Sequence, residues 1–285
     1  MHFLDLPILA RRPDYAALRA AVDELTGGDV TEDFEGTAAL DKGTRQWLAS
    51  LATNELEWID EEPAEALRAA AARRLSEQCG VTATAARRRR LELAQGVSVV
   101  LDEPGMTEDL LGQLTWGSSL VLARRLVREP ALVANQTVLE LGAGTGLVGI
   151  AAKQVGARVV HVTDLPEIVP NLARNVEANG GQCAAYALDW AAPVLPPDHP
   201  VFDVCLISDP VYSREHPAML LRAVEVVNAH SVLLQLPLRR GFEQEREHIW
   251  TGLPRLGYTQ IEAEEEAGRD LFGEQAFSYT RWVRS

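Results

Sequence analysis

A glycine-rich run behind an apolar segment is the first feature of this sequence that could support chemistry. The run Gly142-Ala-Gly-Thr-Gly146 directly follows Thr137 to Leu141, which are predicted to form a β-strand. Glycine allows a ligand to approach the backbone closely, and a helix that begins beyond the run offers free N–H groups. The run lacks the third glycine of a dinucleotide-binding motif, because Leu147 occupies that position. It therefore indicates a ligand-binding turn, with a glycine turn that binds nothing as the alternative.

Two carboxylates narrow the choice of ligand. Glu140 lies two residues before the first glycine, where its carboxylate could meet an ammonium group. S-adenosylmethionine carries such a group and a pyrophosphate does not. Asp164 closes the next predicted strand, at about the twenty-residue spacing expected of an acid that binds ribose hydroxyls. Its alternative role is to cap a helix that begins near Pro166.

Two tryptophans are candidates for the wall of an adenine pocket. Trp190 follows the third predicted strand of the alternating pattern, and Asp189 beside it could accept a hydrogen bond from the base. Trp116 lies outside the strand pattern and just before a predicted helix, and it is a second candidate. The alternative for Trp190 is an ordinary core residue.

The segment Ser208-Asp-Pro-Val-Tyr212 follows the fourth strand, where the reacting groups are expected. If the ligand is S-adenosylmethionine, the expected reaction is methyl transfer. This reaction is an in-line displacement that mainly requires a positioned acceptor and exclusion of water. Asp209 could hold an acceptor amine by a charge-assisted hydrogen bond, and Tyr212 could pack its ring against it. The alternative is a strand-end turn built on Asp-Pro.

The elements that must position these residues alternate between strands and helices from about residue 96 onward. This alternation predicts an α/β fold with a mostly parallel sheet covered on both faces, and a late strand pair that suits an antiparallel edge. The predicted strands are Val97–Leu101, Thr137–Leu141, Arg158–Thr163, Cys183–Leu188, Phe202–Ser208, Ser231–Leu236, Thr259–Ala263 and Phe277–Val283. The predicted helices are Thr107–Leu114, Ser118–Val127, a helix that begins beyond Gly146 and runs through Ala152, Pro166–Ala178 and Phe242–Leu253.

The first ~95 residues have a different, helical pattern. Apolar residues at helical spacing predict helices over Pro13–Leu25, Thr44–Leu51 and Pro63–Cys79. We therefore divide the chain into a helical region, 1–95, and an α/β domain, 96–285. The tetrad Arg87–Arg90 at the end of the first region is predicted to be a solvated helix face, with nucleic-acid binding or nuclear import as the alternative.

Composition limits the classes of partner and compartment. With 41 acidic against 27 basic residues the net charge is -14, which argues against nucleic acid and is compatible with a basic protein partner. The three cysteines show neither metal-site nor disulfide spacing, which suits a reducing compartment. The chain contains no apolar run of about 18 residues and no signal-peptide pattern at its start. We expect no membrane span and a cytoplasmic location, with the nucleus as the alternative.

Taken in order, the motifs resemble the seven-β-strand protein-lysine methyltransferases, and the fungal elongation-factor lysine methyltransferases most closely. The motifs that carry the resemblance are Thr115-Trp-Gly117, Leu139 through Gly149, Thr163-Asp-Leu165, Asp189-Trp190 and Asp209-Pro-Val-Tyr212. The resemblance covers roughly residues 96 to 285. It implies a class I, Rossmann-like seven-stranded sheet with an N-terminal helical extension, and S-adenosylmethionine as cofactor.

The resemblance also implies roles for individual residues. Asp209 and Tyr212 match a D-x-x-Y motif that lies near the acceptor amine in that family. The residues that would line the cofactor pocket are Trp116, Gly142, Ala143, Gly144, Asp164, Trp190 and Ser208. The acidic N-terminal region could dock a basic substrate protein.

The resulting hypothesis is a protein-lysine N-methyltransferase, with a translation elongation factor as a possible substrate. The alternatives are an N-methyltransferase that acts on a small molecule and a cofactor-binding interaction protein without catalysis. The segment Asp209-Pro-Val-Tyr212 differs from the Asn/Asp-Pro-Pro-Tyr typical of enzymes that methylate planar amino groups of bases. Together with the acidic charge, this difference disfavours a nucleic-acid acceptor.

Overall fold

Three helices at the N-terminal end bury a hydrophobic cluster of their own. The computed structural model describes residues 6–25, 42–76, 87–104, 115–270 and 273–284. The helices are α1 (Tyr15–Leu25), α2 (Lys42–Thr53) and α3 (Glu61–Ser76), which confirms the three predicted there. The predicted end of the third helix at Cys79 and the predicted helix over Thr107–Leu114 lie outside the described residues.

Local sequence explains how these helices form and pack. Asp14 caps α1, because the backbone N–H of Ala17 donates to its Oδ1 at 2.8 Å. Leu18 and Val22, one turn apart on α1, are completely buried. The cluster they join also includes Leu25, Leu48, Leu51, Leu67 and Ala71.

A β-hairpin follows, and it corrects the prediction for the arginine tetrad. β1 (Arg87–Ala94) pairs antiparallel with β2 (Val97–Glu103). Gln95 and Gly96 both adopt positive φ, of 50° and 77°, as a tight two-residue hairpin turn requires. The tetrad is therefore part of a strand. The sequence did not reveal this, because four identical residues show no alternation between buried and exposed side chains. The hairpin spans the predicted boundary between residues 95 and 96, so β1 lies within the region that was predicted to be helical.

Within β1, successive arginines point to opposite sides. Arg89 is 1% exposed and its Nη1 lies 3.2 Å from Oε1 of the equally buried Glu103. Arg88 and Arg90 are exposed, and Arg88 faces Asp102 at 3.5 Å. A solvated face is thus correct for these two arginines and wrong for Arg89.

The main sheet has seven strands, as expected for the class I fold. Their order is β5-β4-β3-β6-β7-β9-β8. The strands are β3 (Thr137–Leu141), β4 (Val159–Asp164), β5 (Ala184–Ala187), β6 (Val204–Ser208), β7 (Ser231–Pro237), β8 (Tyr258–Asp270) and β9 (Gly273–Arg284). β3 to β7 are parallel, and β9 inserts antiparallel between β7 and β8. The late strand pair is therefore a hairpin at one edge, with β9 inside the sheet and β8 outermost.

Helices cover both faces of this sheet, because its strands alternate side chains between two hydrophobic clusters. Val138 of β3 belongs to the first cluster, and Leu139 next to it belongs to the second. The helices are α4 (Gly117–Arg128), α5 (Leu147–Gln154), α6 (Val169–Ala178), α7 (His216–Val227) and α8 (Glu243–Arg255). α4, α5 and α6 pack on the first cluster, and α7 and α8 on the second. None of the described helices has the length and apolar character needed to cross a membrane.

The sequence prediction omitted α7. Its buried residues Leu220, Ala223, Val224 and Val227 repeat at ordinary helical spacing, so the signal was present.

The β1–β2 hairpin is attached to the α/β domain through asparagine side chains of α6. Asn175 Oδ1 accepts the backbone N–H of Asp102 at 2.8 Å, and Asn179 Oδ1 accepts that of Val100 at 3.0 Å. The Asn175 amide also donates to the Thr145 carbonyl in the glycine run at 3.0 Å. These bonds satisfy the free edge of β2 and join the hairpin to the turn that precedes α5.

Candidate active site

The carboxyl ends of the central strands open onto a cavity of about 300 Å³. β3 has β4 on one side and β6 on the other, so the chain reverses its direction of sheet building here, as at ligand sites of other open α/β sheets. All but one of the predicted site residues line this cavity. They are Trp116, Gly142, Ala143, Gly144, Asp164, Asp189, Trp190, Ser208, Asp209 and Tyr212.

The glycine run forms a turn that ordinary residues could not adopt without strain. Gly142, Gly144 and Gly146 have φ of 68°, 56° and 85°, in the left-handed region that favours glycine. A Cβ on Gly142 would lie 2.8 Å from Cζ2 of the Trp190 ring. The absence of a side chain at Gly142 therefore lets the indole pack directly over the backbone at the end of β3.

Asp164 both shapes this turn and faces the cavity. Its Oδ2 accepts the N–H of Gly144 and its Oδ1 accepts that of Leu165, each at 2.7 Å. Burial raises the pKa of Asp164 to about 6, although the two backbone hydrogen bonds oppose the shift. It does not cap α6, since Ile168 is the flanking residue there. Each carboxylate oxygen can still accept a further hydrogen bond from a ligand.

Glu140 is the predicted site residue that the structure does not place at the cavity. The two-residue alternation of β3 points it toward α5, where its Oε2 accepts the N–H of Gly149 at 2.7 Å. A Cβ on Gly149 would lie 2.8 Å from this oxygen, so glycine is needed for the close approach. Burial, with a smaller contribution from the Asp164 charge, raises the pKa of Glu140 to about 8. The expectation that Glu140 meets an ammonium group of the cofactor is therefore corrected. Glu140 instead holds the first turn of α5, directly after the glycine run.

Trp190 and Asp189 extend one wall of the cavity beyond β5. The Trp190 ring is half-buried, and the His216 ring meets it edge-on at 6.3 Å. Asp189 Oδ1 accepts the N–H of Ala191 at 2.8 Å, which stabilises the turn that carries the indole. Trp190 thus combines contact with the core and a ring at the cavity.

Aromatic rings also line the cavity around Tyr212, and the His216 ring that meets Trp190 lies 6.1 Å from the Tyr212 ring as well. The Tyr212 and Trp116 ring centroids are 5.5 Å apart, and the Tyr212 backbone N–H donates to Nδ1 of His216 at 3.1 Å. Tyr212 is 40% exposed, yet burial of its hydroxyl end, followed by the nearby Asp209 charge, raises its pKa above the ordinary value. Tyr212 therefore stays neutral at physiological pH and offers a ring face and a hydroxyl.

Asp209 is held by an arginine that the sequence analysis did not identify. The Arg239 guanidinium donates from Nη1 and Nη2 to the two carboxylate oxygens of Asp209, at 3.1 and 2.8 Å. The same guanidinium lies over the Trp116 ring, 5.2 Å from its centroid. Asp209 is 3% exposed and has a φ of 50°, a left-handed conformation that is uncommon for residues other than glycine.

A signal for Arg239 existed in the sequence. It is the first charged residue after the apolar strand β7, at the same edge of the sheet as Asp209. Further residues at the cavity that the sequence analysis did not assign are Ser119, Thr145, Leu165, Glu167, Ile168, Leu188, Pro210, His216 and Met219.

The arrangement has two chemically different ends within one cavity. One end combines a carboxylate and an indole beside a bare backbone turn, which suits a ribose and an aromatic base. The other end combines two aromatic rings with a buried ion pair, which suits a polar group that must be oriented and kept from water.

Comparison with known proteins identifies the family. A family model described as lysine methyltransferase matches residues 99–250, more than half of the chain. Protein-lysine N-methyltransferase rrg1 of Schizosaccharomyces pombe is 33% identical over 296 aligned residues, covering 98% of this chain and 96% of the relative. Protein-lysine N-methyltransferase EFM2 of Saccharomyces cerevisiae is 36% identical over 256 residues, covering 80% of this chain and 61% of the relative. Protein-lysine methyltransferase METTL21E of Mus musculus is 30% identical, covering 50% and 62%. The chain therefore belongs to the lysine methyltransferase family.

Proposed function

We propose that this lysine methyltransferase transfers a methyl group from S-adenosylmethionine, bound in the cavity, to the side-chain amine of a lysine in a protein substrate. The observation that carries the proposal is the single cavity that joins the Asp164–Trp190 end to the Asp209–Tyr212 end. One compartment can therefore hold a nucleoside and an amine side by side.

The residues present fit this cofactor. A cavity of about 300 Å³ is within the range of small-molecule sites. Asp164 can accept hydrogen bonds from ribose hydroxyls, and Trp190 offers a flat wall to adenine. Gly142 and Gly144 line the cavity with positive φ that favours glycine, so no side chain stands on this part of the wall. When bound, S-adenosylmethionine supplies a methyl group on a positively charged sulfur, which becomes a neutral thioether once the amine has taken that methyl.

The protein's own contribution is to position the acceptor and exclude water. The rings of Trp116 and Tyr212 can pack around an alkyl amine and attract its cationic form as it arrives. The apolar walls limit water at the acceptor end, which strengthens the polar contacts made there. The amine must give its proton to water before transfer, which exposes its lone pair. The Asp209 oxygens can then accept a hydrogen bond from the neutral amine and orient it.

The chemistry of the relatives and the charge of this chain support a protein as the substrate. The fission yeast and budding yeast relatives are both named protein-lysine N-methyltransferases. A net charge of -14 complements a basic protein. The likeness of the motifs to fungal elongation-factor lysine methyltransferases makes a translation elongation factor our first candidate. We further propose a cytoplasmic location, which microscopy of a fluorescent fusion tests.

The direct test is incubation of the purified protein with methyl-labelled S-adenosylmethionine and an extract of cells that lack it. Mass spectrometry should then find the label on a lysine, and a purified elongation factor should be labelled in the same assay. Label only among small molecules would contradict a protein acceptor. S-adenosylhomocysteine should also raise the melting temperature, and such a rise without label would favour an interaction protein that lacks catalysis.

The variant Asp209→Ala tests the acceptor role of Asp209 in the same assay. It should abolish transfer while the affinity for S-adenosylhomocysteine, measured by calorimetry, is retained. Full activity in this variant would exclude Asp209 from the acceptor site.

A further inference from the structure

The ion pair between Asp209 and Arg239 alters what the acceptor end can do. Both Asp209 oxygens accept hydrogen bonds from one guanidinium, in the bidentate geometry that fixes a carboxylate most firmly. The carboxylate is almost completely buried, whereas the Arg239 side chain is 19% exposed. The carbonyl of Arg239 accepts a hydrogen bond from Arg246 at 2.8 Å, so its backbone is held as well.

An unbalanced carboxylate would work against methyl transfer. A negative charge within about 4–6 Å raises the pKa of an amine by favouring its ammonium form. The ammonium has no lone pair and cannot attack a methyl group. A guanidinium that already balances the carboxylate removes this bias but leaves the oxygens in place as oriented hydrogen-bond acceptors.

The other charged groups around the cavity make this balance more important. The titratable residues that line it, element by element, are Asp164 after β4, Glu167 before α6, Asp189 after β5, Asp209 and Tyr212 after β6, and His216 at the start of α7. Four of them are carboxylic acids, and the described part of the lining includes no lysine or arginine. Arg239, which follows β7 and is not among the lining residues, places a permanent positive charge 2.8 Å from Asp209.

We propose that Arg239 is a positioning residue that orients Asp209 and balances its charge, so that the acceptor lysine is held as the neutral amine. The inference rests on the proposed function, since it concerns the acceptor of that reaction. Arg239 acts through Asp209, through its interaction with Tyr212 and through its position over the Trp116 ring. It thereby aligns the two parts of the acceptor end that come from β6 and from the segment before α4.

The test compares the pH dependence of kcat in three variants. Arg239→Gln removes the charge, and Arg239→Lys keeps the charge but loses the bidentate geometry. Arg240→Gln makes the same chemical change at the neighbouring exposed residue and serves as the matched control. All three should bind S-adenosylhomocysteine with wild-type affinity in calorimetry, which verifies the fold and the cofactor end.

In Arg239→Gln the acidic limb of the kcat profile should move to higher pH by about one unit or more. At neutral pH kcat then falls about tenfold, recovers toward wild type as the pH rises, and leaves KM for the protein substrate unchanged or lower. Arg239→Lys should keep the limb near its wild-type position, and Arg240→Gln should match wild type throughout. A direct readout is the ¹³C-methyl NMR titration of a monomethyl-lysine substrate peptide bound with S-adenosylhomocysteine, whose amine pKa should be higher in Arg239→Gln.

Several results would overturn the inference. An equal loss of kcat at every pH would indicate a merely structural role, and a gain in kcat would show that Arg239 blocks the acceptor site. A raised limb in Arg239→Lys would exclude charge balance as the cause. Failure of the proposed function is distinguishable, because the wild-type protein itself would then transfer no label to any protein.

Discussion

Replacing Glu140 with glutamine should make the stability of this protein much less dependent on pH. Glu140 is 1% exposed in the middle of β3, and one of its oxygens accepts the Gly149 N–H. Among the described residues its other oxygen, Oε1, has no hydrogen-bond partner. Glutamine keeps an oxygen for Gly149 but cannot ionise, so the variant isolates the energetic effect of the buried charge.

The magnitude follows from the pKa of Glu140, which burial raises from 4.5 to about 8. The folded protein holds this proton more tightly than the unfolded chain, so the stabilisation is complete below about pH 4.5 and is lost as the pH rises through 8. The slope is about 1.4 kcal/mol per pH unit and flattens as the pH nears 8, so the wild-type protein should lose about 3–4 kcal/mol relative to the variant between about pH 5 and pH 8.

The assay is urea unfolding of both proteins across this pH range, with the difference in unfolding free energy as the readout. The change of that difference with pH decides the question, because the buried amide adds an offset that does not depend on pH. Glu247→Gln, an exposed site on α8, is the control and should show no such change. A Glu140→Gln difference that stays constant from about pH 5 to pH 8 would refute the argument that Glu140 is buried and titrates near 8.

Three further outcomes are expected. Arg89→Met should destabilise the fold by about 3–5 kcal/mol in urea unfolding, because it leaves the buried Glu103 carboxylate without its guanidinium. The control Arg88→Met, at the adjacent exposed ion pair, should cost less than about 1 kcal/mol. Similar costs at the two sites would contradict the structure of the hairpin. Gly142→Ala should weaken S-adenosylhomocysteine binding in calorimetry, since its Cβ would meet the Trp190 indole. The control Gly156→Ala has open space around its Cβ, so it should leave binding unchanged and cost only about 1–2 kcal/mol of stability, which arises from its positive φ. Because the pKa of Asp164 is about 6, the affinity for S-adenosylhomocysteine should rise as its carboxylate ionises between about pH 5 and pH 7. Asp164→Asn should bind more weakly and lose this pH dependence. A wild-type affinity that is constant with pH would show that the Asp164 carboxylate does not bind the ribose.

Local patterns in the sequence were sufficient to predict the fold class and most of the elements. Strands β3 and β7 were predicted to within one residue, because each is a short, mostly apolar segment bounded by turn residues. The run of glycines, the acids at strand ends and the family resemblance together predicted the ten residues that line one cavity. The ends of neighbouring parallel strands meet at one edge of a sheet, so their order along the chain predicts proximity in space.

Only the tertiary structure decided what three charged residues do. Glu140 belongs to the same motif as the glycines, yet strand alternation turns it away from the cavity and into the core. Arg89 looks identical in sequence to its exposed neighbours, and only the pairing of β1 with β2 buries it against Glu103. Arg239 is far from Asp209 along the chain, and the adjacency of β6 and β7 brings the two together. In each case the role depends on the group that the fold packs against the charge. That group is the helix backbone for Glu140, the partner strand of a hairpin for Arg89 and the end of a neighbouring strand for Arg239, and local sequence patterns do not specify these contacts.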